Sequence, residues 1–255
     1  MNLNLYSRVA NDYNSIPQKI RVLTEFWVEK HIYCPSCGKP INEYKNNKPV
    51  ADFYCLKCNE DYELKSKKDR IGKKIVDGTY STMIERLKSN SNPNFFFLNY
   101  DKNSFNVINF MVIPKHFFTP DIIEKRKPLS STARRAGWVG CNILLNTIPE
   151  SGKIFYIKNG KSENKSIVLN NWSKTSFLKD TLDFKSKGWL LDIILCIEKL
   201  NKNSFSLSEL YQFEDYLKIK HPDNNNIQAK IRQQLQILRD KNYLKFENRG
   251  KYRLT

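Results

Sequence analysis

The chain has 255 residues, and domains usually run to roughly 100 to 200, so two modest domains are expected rather than a single core. A hydrophobic fraction of 40% with 13% aromatic residues is too apolar for a disordered protein. The 43 basic residues outnumber 26 acidic ones for a net charge of +17, which favours a polyanionic partner through phosphate neutralisation, although charge alone does not separate DNA from RNA or an anionic membrane surface. The longest apolar run, Phe95-Phe96-Phe97-Leu98, falls far short of the ~18 residues needed to cross a bilayer, and MNLNLYSRVANDYN has neither the basic nor the apolar segment of a signal peptide. The expectation is a soluble, cytoplasmic protein that does not engage a membrane.

In chain order, Ile16, Ile20, Leu23 and Trp27 recur at helical spacing between Ser15 and His31, with Pro17 tolerable in a first turn. Short strands are predicted over Val50–Tyr54 and Tyr62–Lys65, and a second amphipathic helix over Thr79–Lys88, carrying Tyr80, Met83, Ile84 and Leu87. β-rich runs follow at 94–100, 105–113, 138–145 and 153–158, rich in aromatic and β-branched residues. Helix, strands, helix, strands predicts an α/β or α+β domain. Residues 159–186 turn to Asn, Ser and Lys with weak periodicity and read as a connection, so we place the domains at 1–185 and 186–255.

The C-terminal part reads differently. GWLLDIILCIEKLN is one helix; SLSELYQFEDYLKIK is a second, with Ser206 and Glu209 in capping-box register. NIQAKIRQQLQILRDK is a third, with Ile227, Ile231, Leu235 and Leu238 on one stripe, and YLKFENRGKYRL alternates around a turn at Asn248 to Gly250 as a β-hairpin. This is the order of a winged helix-turn-helix. The stretch 189–229 carries a net charge of −2 and 230–255 a net of +6, so the positive charge gathers on the third helix and the hairpin. Gln228, Arg232, Gln233, Gln236 and Arg239 lie off the apolar stripe, and Arg and Gln pair bidentately with guanine and adenine edges. With Arg249 and Lys251 of the hairpin they are the DNA-binding candidates here; a solvated polar face is the plainer alternative.

Cys34 and Cys37 form CPSC, Cys55 and Cys58 form CLKC, and seventeen residues separate the pairs. Two knuckles at this spacing are the pattern of a structural Zn²⁺ site, four thiolates closing a tetrahedron with no open position. Cys141 and Cys196 are single and are read as core residues. Threaded through the second knuckle is a set of charges: Asp52, then Glu63 and Lys65, which on a strand project from one face. If the flanking strands pair, two carboxylates and a lysine converge. That set suits a hard cation such as Mg²⁺, which polarises phosphate and lowers the pKa of bound water, with the lysine orienting that water. A charged hairpin edge that discourages aggregation is the bland reading, and Asp61, two residues before Glu63, complicates the catalytic one.

Helix, two charged strands and helix outline the PD-(D/E)xK nuclease core, with Ala51 where the motif name places Pro. PVADFYC, ELKSKK, NPNFFFL, RKPL, TARRAGW, IRQQLQILRDK and the terminal RGKYR resemble the Dpn-type methyl-directed restriction endonucleases along the whole chain. The resemblance implies a Mg²⁺-dependent enzyme that cleaves double-stranded DNA at GATC when the adenine carries an N6-methyl group, with a zinc-containing nuclease domain and a winged helix that both read the site. It implies Asp52, Glu63 and the Leu64 backbone carbonyl as magnesium ligands, Lys65 as the water-positioning residue, and Cys34, Cys37, Cys55 and Cys58 as zinc ligands. A buried methyl is worth only about 1 kcal/mol, so strict reading calls for an aromatic pocket or agreement between two domains. Trp138, beside Arg134 and Arg135, is the candidate reader, and a core tryptophan is the equal alternative; Trp189 reads as core. The competing function is a zinc-ribbon, winged-helix regulator that binds DNA without cleaving it. No dimer stripe is visible, and a monomer is expected.

Overall fold

The protein is described by a computed structural model covering residues 1–44, 51–89, 91–181 and 183–255, so Val50 of the first expected strand lies outside the described residues. The chain divides into two compact units, residues 1–146 with 151–173 and residues 147–150 with 174–255. Among the described residues no helix is long and apolar enough to cross a membrane.

In the first unit helix α1 (Ile16–His31) carries Pro17 in its first turn and buries Leu23, Trp27 and Val28. Strands β1 (Asn42–Glu43), β2 (Phe53–Tyr54), β3 (Asp61–Lys68) and β4 (Lys74–Thr79) lead into helix α2 (Tyr80–Lys88), then β5 (Asn94–Tyr100), β6 (Val107–Ile113), β7 (Ile123–Lys125), β8 (Gly140–Leu144), β9 (Ile154–Lys158) and β10 (Lys161–Ser162). A seven-stranded sheet runs β1-β2-β3-β5-β6-β9-β10, and a three-stranded sheet runs β4-β8-β7. β3 and β5 pair in parallel, joined by β4 and α2, while β5–β6 and β6–β9 are antiparallel. This is the expected mixed α/β class.

Every residue of β5 is buried, as a central strand covered on both faces requires. Alternation sends Phe96 one way, to stack on Tyr62 at 4.5 Å between centroids, and Phe95 the other, to stack on Phe118 at 4.6 Å. Trp27 and Tyr156 each pack on Phe110 in the first of these layers. Truncating Phe96 to Ala would cost about 3–5 kcal/mol.

The polar run expected as a connection departs from that reading. Its centre is helix α3 (Lys165–Thr175), with Val168 and Trp172, one turn apart, buried in the first unit's core. Two apolar anchors, with Thr175 buried at the C-terminal end, suffice for a helix most of whose other residues are exposed, and such a stripe is too narrow to register as periodicity.

The second unit opens with α4 (Phe184–Lys199), capped by Asp183, whose carboxylate accepts the Ser186 N–H at 2.7 Å. β11 (Ser204–Ser206), α5 (Leu207–Tyr211), α6 (Glu214–Lys220), α7 (Ile227–Asp240), β12 (Leu244–Asn248) and β13 (Lys251–Leu254) follow. Ser206 and Glu209 form the capping box expected of them. The single helix expected over 206–220 is two, because a tight turn with Phe213 N–H donating to Leu210 C=O breaks it, and Leu210 and Leu217 are buried on the separate pieces. Ile227, Ile231, Leu235 and Leu238 of α7 are buried as the stripe predicts. β12 and β13 form the hairpin, with Gly250 at φ +72° in its turn, and β11 adds to its other edge. The result is a helical helix-turn-helix domain with a basic three-stranded wing.

Candidate active site

The cysteine pairs fold as two copies of one knuckle. Gly38 N–H donates to Cys34 C=O at 2.8 Å and Asn59 N–H to Cys55 C=O at 2.9 Å. Gly38 and Asn59, each just after the second cysteine, take φ of +71° and +55°, a left-handed conformation open to Gly and Asn. The four sulfurs lie within 4.8 Å of one another, with Cys34–Cys58 at 3.4 Å and Cys37–Cys55 at 3.5 Å. Thiolates 2.3 Å from a tetrahedral Zn²⁺ would sit about 3.8 Å apart, so the cluster could hold zinc. Burial pushes the Cys34 thiol up, a cost that a cation bound to the thiolate would offset. Cys141 and Cys196 are buried core residues, as expected.

The second knuckle is the turn between β2 and β3. Phe53 pairs with Tyr62 and Tyr54 with Asp61, so the next step of the register sets Asp52 against Glu63. The Asp52 carboxylate accepts the Leu64 N–H at 2.7 Å. Burial raises the Asp52 pKa, aided by the Glu63 charge and opposed by the Leu64 bond, Lys65 and Arg21. The Lys65 ammonium lies 2.5 Å from Glu63 Oε1 and also pairs with Asp77. Burial lowers the Lys65 pKa, but Glu63 and Asp77 outweigh it and hold the amine above its usual range. Arg86 of α2 donates to the other Glu63 oxygen at 2.7 Å. Both Glu63 oxygens therefore face cations. Asp61 is drawn aside by the Tyr44 hydroxyl, which donates to it at 2.7 Å.

Sequence reasoning brought Asp52, Glu63 and Lys65 together but missed Asp77, Arg86 and an acidic surround on α1 and β1. Glu25, with Arg21 at 2.7 Å, has its pKa raised by burial, as has Glu43. Arg86 follows Met83 on α2 and Asp77 sits in the undistinguished VDGT. Neither has a spacing to Lys65 that would flag it, because a crossover rather than a turn brings them in.

Asp52, its pKa raised by burial and by the Glu63 charge, and Glu63 on β3 offer oxygen donors of the kind a hard cation takes.

Trp138 lies two residues before β8, half-buried, its indole N–H donating to Thr79 Oγ1 at 3.1 Å and Arg135 lying 5.1 Å from its ring centre. A Cβ on Gly140 would meet that ring at 2.7 Å, so glycine there lets the indole lie flat on β8. Arg134 is exposed. In the second unit Arg232, Gln233, Gln236 and Arg239 of α7, and Arg249 and Lys251 of the wing, are all exposed. Arg232 donates to the Tyr211 hydroxyl at 2.6 Å and Gln233 accepts from Lys230. Trp189 is core, its ring stacked 3.7 Å from that of His221.

A model of the Dam-replacing family matches residues 1–181, and a model of the Dam-replacing HTH domain matches residues 185–254. Together they take in both units, the charged hairpin and α7. The chain therefore belongs to the Dam-replacing family, that of the Dpn-type methyl-directed restriction enzymes, nucleases that act on DNA.

Proposed function

We propose that this chain is a Mg²⁺-dependent endonuclease that hydrolyses phosphodiester bonds of double-stranded DNA at GATC sites bearing N6-methyladenine. In this reading residues 1–185 form the catalytic domain, residues 186–255 a winged-helix reader, and the protein acts as a monomer. The observation that carries it is the meeting of Asp52, Glu63 and Lys65 at the β2–β3 hairpin, with Asp52 bonded across to Leu64. Asp52, Glu63 and the Leu64 carbonyl would hold magnesium, which supplies a Lewis acid for the phosphate and lowers the pKa of the attacking water. Lys65 orients that water and balances charge on the phosphate as the bond to the leaving oxygen breaks. Cys34, Cys37, Cys55 and Cys58 would hold Zn²⁺, which would keep the β2–β3 turn closed, and thiolates and carboxylates would sort the two ions by softness.

Trp138, flanked by Arg134 and Arg135, is proposed as the methyl contact of the first unit, with Arg232, Gln233, Gln236, Arg239, Arg249 and Lys251 binding DNA in the second. Trp138→Ala is expected to narrow the cleavage ratio between methylated and unmethylated duplexes by about fivefold, the worth of one buried methyl, and an unchanged ratio would remove Trp138 from the reading. The proposal as a whole is tested by incubating one plasmid, prepared with and without adenine methylation at GATC, with Mg²⁺ and either the natural chain or Asp52→Ala. Cleavage of the methylated plasmid alone, lost in the variant, is expected. Cleavage of both plasmids would reject methyl direction, an active variant would reject the metal site, and binding without nicking would favour the regulator.

A further inference from the structure

Resting on the nuclease reading, the geometry points to Asp77 as a positioning residue that fixes the Lys65 ammonium beside Glu63. Lys65 is 22% exposed at its side chain and lies between two carboxylates on different sheets, Glu63 on its own strand β3 and Asp77 on β4. The Asp77 side chain is only 4% exposed. Its Oδ1 takes the Lys65 ammonium and the Gly78 N–H, whereas its Oδ2 is buried without a hydrogen-bond partner. A half-satisfied buried carboxylate is costly, and its one strong compensation is Lys65.

The two partners of Lys65 differ in what else they do. Glu63 is shared, since Arg86 occupies its second oxygen and a bound cation would compete with Lys65 for the first. Asp77 has Lys65 as its side-chain partner and otherwise takes a backbone N–H, that of Gly78. It is also rigidly placed, because β4 pairs with β8 at Asp77 and Cys141, and a register shift between Asp77 and Thr79 turns the strand there. A lysine with four rotatable bonds needs such an anchor to stay in place when Glu63 is recruited elsewhere.

Asp77→Asn, Asp77→Glu, Lys65→Met and the Asp77→Asn/Lys65→Met pair test this. Single-turnover cleavage of a methylated GATC duplex by Asp77→Asn should fall by about 100-fold, as a misplaced catalytic group does, while duplex affinity with Ca²⁺ in place of Mg²⁺ stays within about twofold. Asp77→Glu, which keeps the charge, should recover part of the rate. In urea unfolding the double variant should be less destabilised than the sum of the single ones, since each single change strands a buried partner. Near-normal cleavage by Asp77→Asn, an affinity loss as large as the rate loss, or additive urea midpoints would overturn the inference. If the natural chain cleaves nothing with Mg²⁺, the nuclease reading fails instead, and the urea cycle still decides whether Asp77 and Lys65 act as a pair.

Discussion

The cysteine cluster and the carboxylate cluster share one hairpin but are built on opposite principles. Around the β2–β3 turn four sulfurs face one another within 4.8 Å, and two left-handed residues, Gly38 and Asn59, shape the knuckles. A few residues along the same strands, Asp52 accepts the Leu64 N–H while Glu63 faces two side-chain cations, Lys65 and Arg86, one at each oxygen. A closed ligand set serves the fold, and a set whose ligands are held by exchangeable partners can serve chemistry.

The largest effect should come from breaking the closed half. Cys55→Ser should remove bound zinc, measured as metal per chain by plasma emission, and most of the first unit's stability with it, since structural zinc is worth about 10–16 kcal/mol in small zinc-folded peptides. Cleavage then fails as a consequence of unfolding. If Cys55→Ser melts like the natural chain, the cluster does not hold the hairpin.

Breaking the exchangeable half should separate activity from folding. Glu63→Gln is expected to lower methylated-plasmid cleavage by about 10³-fold with zinc content and melting temperature nearly unchanged. A parallel fall in melting temperature would mean that Glu63 is structural, tying β3 to α2 through Arg86.

The smallest effect lies in the acidic surround of the carboxylate site. Burial raises the Glu25 pKa, with Arg21 opposing. The folded chain therefore holds a proton on Glu25 over a pH range in which the unfolded chain has lost it. Stability falls as pH rises from the ordinary carboxylate range through the raised value, and the deficit persists above it. Glu25→Gln, which can still accept from Arg21, should be slightly more stable than the natural chain at neutral pH, and the two should converge in acid. Urea titrations across pH check this; a variant less stable at neutral pH would assign the net benefit to the Arg21 ion pair.

How much of this was legible in the linear chain follows from how far apart the interacting residues are. Knuckles, capping box and the apolar stripe of α7 are local patterns, and each formed at its expected place. The meeting of Asp52 with Glu63 needed only a hairpin, one step beyond local. The run at 159–186 misled because only two buried apolar residues, Val168 and Trp172, anchor α3 in a polar stretch, without a visible period. The helix expected over 206–220 was broken by core demands at Leu210 and Leu217 that helical propensity does not register.

The amino-acid order by itself determined the pairing of the thiols, the periodicity of most elements, the positive charge of the C-terminal segment and the two-part plan, because thiol pairs, side-chain period and net charge act at short range or in sum. Only the tertiary structure decided which charges meet. The β4–α2 crossover that makes β3 and β5 parallel also carries Asp77 and Arg86 onto Lys65 and Glu63, and burial there converts ordinary surface ions into a coupled group.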